Sequence, residues 1–303
     1  MTSKCEPLSA NRCLPVSTGS YPIRQKLKKR IAYLLSTQGV KQPDNLLDLF
    51  TRHIVRSMAY RRGWKRMLQK PNQLSSMDIL RWIDWADDVD EKLWRAFLAG
   101  HFGRPSTPNS SSGAESASRL LCAFGSAPVW TWKRVSSNLL GFRMWLRERQ
   151  DELSTLKFGN HRKYESKEAD ALFKVVASFV KWVQHNGGSP RRAFEAEGMN
   201  SADERFDVLF RALKIWRFGR TAKFDTLCLL GDLGIFSIRP GSCYLRGSTG
   251  PLFGAQKLLG RQPAAKLSVV ADQVAKALQL PMEAFEDALC NWQKELKVAG
   301  DGT

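Results

Sequence analysis

An acidic residue, Asp225, stands early among several bases in the stretch from 216 to 260. Arg220, Lys223 and Asp225 fall near the start of a helix that the spacing of apolar residues predicts over about 221–233. The N-terminus of a helix carries partial positive charge. Asp225 could serve only as an ion-pair partner, but a carboxylate that positive charge keeps ionised also stabilises a cationic transition state. We therefore predict that Asp225 is the main catalytic residue.

A glycine-rich turn separates this helix from a second one. Gly234 is placed to end the first helix, and Pro251 suits the first turn of the second. Backbone N–H groups at such a helix start can hold a DNA phosphate without reading its sequence. A turn between two buried helices would give the same glycine pattern. The residues that we assign to phosphate contacts in this stretch are Arg246, Gly247, Gly250, Gly254 and Lys257.

The turn FGNHRKYES, residues 158–166, combines aromatic rings, a histidine and two bases. Polar turns are ordinarily just exposed to solvent. This composition, however, suits stacking on a displaced base and gripping its flanking phosphates. We assign to substrate binding Asn160, His161, Arg162, Lys163 and Tyr164.

The last predicted helix contains MEAFEDALCNWQKELKV. Glu286, Cys290 and Lys294 recur every four residues and share one face of it. An exposed Glu–Lys pair, worth about 0.3–0.5 kcal/mol, would have the same spacing. Cys290, like Cys228, is predicted to be a packing residue rather than a nucleophile.

The composition indicates a polyanionic partner. The chain of 303 residues has a formal net charge of +18 and is 43% hydrophobic, which permits a substantial core. Residues 1–70 hold fifteen Lys or Arg and three Asp or Glu, so most of the excess charge lies there. We expect this region to face DNA and assign Arg61, Arg62 and Lys65 to phosphate contacts; a solvated basic helix face would have the same composition.

The same sequence argues against several other classes of protein. No apolar run approaches the roughly 18–20 residues of a membrane-spanning helix. The first residues are polar and interrupted by prolines, unlike a signal peptide. The six cysteines and four histidines are dispersed, without the close spacing of a metal site. We expect a cytoplasmic monomer without metal or cofactor.

The predicted fold is all-α. Apolar spacing predicts helices along most of the chain, and the best extended candidates are short, at 236–240 and 243–247. We predict a basic arm and helix over 1–40 and one helical catalytic domain over 41–303. Ser, Pro, Gly and Asn dominate at about 103–118, which predicts a flexible surface loop.

Five segments, in one order, resemble motifs of the alpha-glutamyl/putrescinyl thymine pyrophosphorylase family. They are LWRAFLAGHFGR at 93–104, FGNHRKYES at 158–166, FGRTAKFDTL at 218–227, PGSCYLRGSTGPLFGA at 240–255 and EDALCNWQK at 286–294. The resemblance covers most of the chain from about Leu46. It implies an architecture related to helix-hairpin-helix DNA glycosylases and action on modified bases in phage-type DNA.

The resemblance also adds residues to the candidate site. It makes Glu286 and Lys294 part of the pocket floor, with Glu286 as the alternative catalytic acid. A lysine, Lys223 or Lys294, could instead attack the sugar and form a Schiff base. The remaining candidates for substrate binding are Arg220, Tyr244, Asn291 and Gln293.

The implied activity is that of a DNA N-glycosylase. Such an enzyme rotates a hypermodified base out of double-stranded DNA and hydrolyses its glycosidic bond. One branch of the family acts this way in defence against viruses, and we favour an alpha-glucosylated 5-hydroxymethylcytosine as the base. Two alternatives remain open: a basic helical DNA-binding protein without enzymatic activity, and an enzyme that exchanges a substituted thymine.

Overall fold

The structure, a computed structural model, describes residues 21–68, 79–103, 112–126, 128–159, 162, 164–196 and 198–300. Every regular element in these residues is helical, so the predicted all-α fold is confirmed. None of the described helices is long and apolar enough to cross a membrane.

Fifteen α-helices follow one another along the described residues. A short 3-10 turn at Ala123–Gly125 stands between the fifth and the sixth. In chain order the helices are α1 (Tyr21–Thr37), α2 (Asp44–Leu68), α3 (Ile79–Asp84), α4 (Val89–Phe102), α5 (Ser112–Leu121), α6 (Trp132–Ser137), α7 (Leu139–Glu148), α8 (Gln150–Thr155), α9 (Ala169–His185), α10 (Pro190–Phe194), α11 (Ala202–Ala212), α12 (Arg220–Asp232), α13 (Gly250–Leu259), α14 (Ala264–Ala277) and α15 (Met282–Gly300).

The helices from α3 to α12 enclose the first hydrophobic core. Its centre is a set of stacked aromatic rings, whose burial removes a large apolar area from water. The Phe97 and Phe179 rings lie nearly parallel with centroids 3.9 Å apart, and Phe218 stacks on Phe97 at 5.0 Å. Because Phe218 stands just before α12, this packing fixes where that helix starts.

The second core is built from α1 and α2 together with α13, α14 and α15. Phe50 of α2 packs against Phe285 and Trp292 of α15, with ring centroids 5.6 and 5.2 Å away. Ile31 of α1 is buried in the same core. The helix of the predicted basic arm thus shares a core with the domain predicted to begin at residue 41. Residues 1–20 lie outside the described residues.

The prediction of a flexible loop over about 103–118 is wrong from Ser112 onward, because α5 begins there. Ala114 is buried in the first core. Gly113 lies so close to the Gly103 carbonyl that any side chain would clash. The small residues that predicted a loop instead allow α5 to pack closely against the end of α4. Residues 104–111 lie outside the described residues.

The helix predicted over about 221–233, which contains Asp225, is confirmed as α12. It ends before Gly234, which adopts a left-handed φ of +67°. The Ile235 N–H donates to the Leu230 carbonyl at 3.1 Å, the bond expected of a glycine-terminated helix. α13 then begins with Pro251 in its first turn, as predicted.

The connection between α12 and α13 is irregular, so the extended arms predicted at 236–240 and 243–247 are wrong. In a strand, the Cys243 N–H would donate to the backbone of a neighbouring strand. Here it donates instead to a side chain, Asp272 Oδ1 of α14, at 2.7 Å. α12 packs on α4 and α11, whereas α13 packs on α14 and α15. The helix-hairpin-helix arrangement itself stays a prediction.

Two glycines of α13 permit its close packing on α15. Gly254 is buried, and a Cβ there would clash with the backbone carbonyl of Leu289. A Cβ at Gly250 would lie 2.9 Å from Cys290 Sγ. The role predicted for Gly254 is therefore corrected, because its missing side chain serves helix packing rather than a phosphate contact.

Replacing Gly254 with alanine should destabilise the protein, because the methyl group meets backbone rather than a flexible side chain. We expect a loss of about 1–3 kcal/mol in the free energy of unfolding, measured by urea denaturation. The control is Gly63→Ala inside α2, where the described residues leave open space for a Cβ. There alanine should stabilise by about 0.5–1 kcal/mol. Equal effects of the two variants would contradict the close packing of α13 on α15.

Candidate active site between the two cores

Arg220, the first residue of α12, joins the two cores. Its guanidinium donates from Nη1 to Glu286 Oε1 on α15 (2.5 Å), from Nη2 to the Cys243 carbonyl (2.6 Å) and from Nε to the Tyr244 carbonyl (3.0 Å). Only the planar fork of an arginine can serve three acceptors in such fixed directions. The structure thus gives Arg220 a positioning role, where the sequence predicted contact with substrate.

Glu286 is the buried acid of the site. Burial raises the pKa of its carboxyl, Arg220 opposes this shift, and the negative charges of Asp225 and Asp287 add to it. The resulting pKa is raised, so Glu286 takes up a proton more readily than a solvated glutamate does.

Asp225 lies on α12 and is more exposed than Glu286. Its negative charge raises the pKa of Glu286 and also that of Arg162, so it interacts with both. The structure therefore brings the two predicted catalytic acids together, one partly exposed and one buried. Carboxyl groups in such different environments can divide acid and base roles. Their catalytic roles stay a prediction.

Arg162 is buried beside this pair. Its Nε donates to the His101 carbonyl (3.1 Å), its Nη2 donates to the Arg217 carbonyl (3.2 Å), and its Nη1 lies 3.3 Å from Glu165 Oε1. Burial lowers the pKa of Arg162, whereas the charges of Glu165 and Asp225 raise it. Because protein groups occupy its guanidinium, Arg162 holds neighbouring segments in place, where the sequence predicted contact with substrate.

His101, near the end of α4, is buried and neutral. Burial, with the nearby charges of Arg162 and Arg217, lowers the pKa of His101 to about 3. Its Nδ1 lies 3.4 Å from Arg162 Nη2; a guanidinium only donates, so Nδ1 accepts and Nε2 carries the proton. Nε2 has no hydrogen-bond partner among the described residues. The residue is therefore not a cationic contact for phosphate.

Sequence reasoning did not assign His101, Glu165 or Arg217 to the site. His101 and Glu165 lie inside segments that resemble the family motifs, which was the available signal. Arg217 lies outside those segments. Its Nε contacts Glu165 Oε2 at 3.1 Å, and its φ is +53°, features that only the folded chain reveals.

The predicted shared face of α15 is confirmed. Burial raises the pKa of Cys290 to about 11; Glu286 adds to this shift and Lys294 opposes it, so all three lie together. The Cys290 thiol is therefore a packing group, as predicted. Lys294 is exposed and donates to Asn291 Oδ1 (3.2 Å), and Asn291 Nδ2 donates to Asp287 Oδ1 (2.9 Å).

Tyr244 and Gln293, two predicted substrate contacts, have protein partners. The Tyr244 hydroxyl donates to Asp207 Oδ1 (3.2 Å), and its ring centroid lies 4.2 Å from that of Phe210. Burial and Asp207 raise the pKa of Tyr244. Gln293 is buried and donates from Nε2 to the Cys290 carbonyl (3.1 Å), while its Oε1 has no partner in the described part of the chain.

Lys223 is the partly buried amine of α12. Burial lowers the pKa of its ammonium, and the charge of Lys214 lowers it further. A lysine with a lowered pKa is a better nucleophile than a solvated one. Burial and the lowered pKa therefore make Lys223 a better candidate nucleophile than the exposed Lys294.

Other predicted residues lie at the surface or outside the described residues. Tyr164 is 83% exposed. Arg246, Gly247 and Lys257 are exposed, which leaves them accessible to phosphates. The described part of the chain does not include Asn160, His161, Lys163 or the side chain of Lys65.

Arg61 of α2 was predicted to contact phosphate, and the structure shows that it forms ion pairs inside the protein instead. Its Nη1 lies 3.4 Å from Glu283 Oε1 and 3.9 Å from Asp232 Oδ2, and its side chain is largely buried. Two carboxylates offset its charge, so Arg61 holds α2 against α12 and α15. Arg62, next to it, is exposed.

The chain belongs to the alpha-glutamyl/putrescinyl thymine pyrophosphorylase family, clade 3, whose model matches residues 59–298. The match includes the two acids Asp225 and Glu286 and the two buried arginines Arg162 and Arg220. The resemblance observed in the sequence motifs is therefore confirmed. Neither the curated proteins nor the solved structures compared with the chain match it.

Replacing Arg220 with lysine should destabilise the protein, since the donors of an ammonium all lie on one nitrogen and cannot reach three acceptors that bind three different nitrogens of the guanidinium. We expect a loss of about 2–4 kcal/mol in the free energy of unfolding, measured by urea denaturation. The control is Arg239→Lys, because the Arg239–Asp203 pair is exposed (Nε–Oδ1 2.7 Å). Such a pair contributes about 0–1 kcal/mol. A loss as large for the control would remove the special role of Arg220.

Proposed function

We propose that this member of the family is a DNA N-glycosylase that excises a hypermodified base from double-stranded DNA. The observation that carries the proposal is a pair of interacting carboxyl groups, Asp225 and Glu286: Arg220 binds Glu286 between the two cores, and the charge of Asp225 acts on both Glu286 and the buried Arg162. The family description names a modified thymine, which supports action on an altered base. The net charge of +18 supports a polyanionic substrate.

The proposed reaction begins with rotation of the nucleotide out of the stack, because a duplex hides the glycosidic bond. As the C1′–N bond breaks, its electron pair leaves with the base and positive charge develops on the deoxyribose. Ionised Asp225 stabilises that charge and takes a proton from the water that attacks C1′. Glu286, with its raised pKa, is suited to give a proton to the departing base.

The proposed substrate follows from the need to spare ordinary bases. A site that hydrogen-bonds a substituent rejects bases without it by about 10⁴-fold or more, because its buried polar groups are left unpaired. Gln293 Oε1 is a buried acceptor without a partner in the described residues. We favour alpha-glucosylated 5-hydroxymethylcytosine in viral DNA, met in a bacterial cytoplasm; a substituted thymine is the second candidate.

Replacing Asp225 with asparagine keeps the shape of the side chain and removes its charge. Excision should fall at least about 100-fold, since a charge that stabilises the transition state is lost. The measurement is mass spectrometry of free base released from glucosylated, merely hydroxymethylated and plain DNA. The control is Asp203→Asn, whose carboxylate pairs with Arg239 at the surface and should be dispensable.

Each result of that experiment has a definite meaning. Undiminished excision by Asp225→Asn would remove its role, and a loss in Glu286→Gln would then assign the reaction to Glu286. Equal release from glucosylated and hydroxymethylated DNA would contradict a pocket that reads the sugar. Binding without release from any DNA would favour the DNA-binding protein without enzymatic activity, and incorporation of a new base would favour the exchanging enzyme.

A lysine mechanism is the second candidate, supported by the lowered pKa of Lys223. The Nζ would attack C1′ as the base leaves, and the nitrogen lone pair would then open the C1′–O4′ bond to give a Schiff base, with the proton lost by the amine passing to O4′. Borohydride would reduce that Schiff base to a stable link with DNA. The hydrolytic proposal predicts no trapped complex and an uncut strand. Trapping by the wild type and by Lys294→Gln, but not by Lys223→Gln, would instead establish Lys223 as the nucleophile.

A further inference from the structure

Trp216 is an exposed aromatic residue in the turn before α12. Its side chain is 42% exposed. Lys174 Nζ lies 5.8 Å from its ring centroid and Arg217 Cζ lies 5.5 Å from it. Two cations therefore accompany one solvent-exposed indole.

The backbone that presents this ring is held firmly. The Trp216 N–H donates to Ser178 Oγ at 2.9 Å. Arg217 has a left-handed φ of +53°, which is strained for a residue with a side chain. The conformation persists because Arg162 donates to the Arg217 carbonyl (3.2 Å) and Glu165 Oε2 lies 3.1 Å from Arg217 Nε. The turn is therefore a fixed platform rather than a free loop.

Positive charge continues from this platform along the surface. The charge of Lys214 lowers the pKa of Lys223, so the two ammonium groups lie close to each other. Lys223 Nζ also lies 5.9 Å from the Phe210 ring centroid. Like charges so close repel each other in the free protein and attract a polyanion. Cations that alternate with aromatic rings are typical of surfaces that bind a nucleic-acid strand.

Arg162 connects this surface to the carboxyl pair. The guanidinium that donates to the Arg217 carbonyl is also the one whose pKa responds to Asp225. The turn that carries Trp216 therefore lies close to Asp225.

We infer that Trp216 stacks on a base of the DNA strand that enters the site, with Lys174 and Lys214 against the flanking phosphates. The placement of that strand next to catalytic carboxyl groups rests on the proposed function. The stacking itself requires only that the protein binds DNA.

The test is the affinity for a fluorescein-labelled duplex that contains one abasic-site analogue and no modified base, measured by fluorescence anisotropy. Stacking of one base corresponds to about a five- to hundredfold change in affinity. Trp216→Ala should raise the Kd by that factor, and Trp216→Phe should keep most of the affinity because it retains an aromatic face. Urea denaturation of both variants checks that they fold.

The matched control is Trp85→Ala. Trp85 is 47% exposed and has Arg81 Cζ 4.1 Å from its ring centroid, but acidic residues Asp84 and Asp87 flank it in the sequence. Its removal should leave the Kd unchanged. Wild-type affinity of a folded Trp216→Ala variant, or an equal loss in Trp85→Ala, would overturn the inference.

The outcome separates this inference from the proposed function. If Trp216→Ala weakens binding but the wild type releases no base, stacking stands and the glycosylase proposal falls. If the wild type releases base while Trp216→Ala binds and excises normally, the glycosylase proposal stands and the inference falls. A wild type that does not bind the duplex contradicts both.

Discussion

The three hydrogen bonds donated by Arg220 are the interactions on which the rest of the candidate site depends. A buried carboxylate such as Glu286 is costly by itself, and its pairing stabilises only if the partner is also satisfied. Arg220 meets that requirement because its remaining donors bind two backbone carbonyls of the α12–α13 connection. One side chain thereby sets the spacing of α12, α15 and the connection.

A second buried guanidinium, that of Arg162, interacts with the charge of Asp225. It binds the end of α4 through the His101 carbonyl and the turn before α12 through the Arg217 carbonyl. The neutral imidazole of His101 adds no positive charge beside it. Asp225 thus interacts with a guanidinium whose position is set by backbone acceptors.

Local patterns in the sequence predicted the local structure well. α12 follows from its apolar spacing and from Gly234, and the shared face of α15 follows from a four-residue repeat. The Arg220–Glu286 pair joins distant positions, so no local pattern reveals it. Neighbouring residues also diverge: Arg162 is buried and Tyr164 is exposed, because tertiary contacts decide which side of a turn faces inward. The small residues of α5 predicted a loop because amino-acid composition alone does not distinguish a flexible segment from a closely packed helix.

The second core has a consequence for the order of folding. Its two parts, α1 and α2 on one side and α13 to α15 on the other, are separated in the chain by the whole of the first core. During synthesis the intervening helices can collapse as a unit, while the apolar faces of α1 and α2 wait for partners that leave the ribosome last. Glu286 reaches Arg220 only at that late step. A nascent chain can therefore form its first core before Glu286 is paired with Arg220, and an unfinished product lacks the buried carboxyl group of the candidate site.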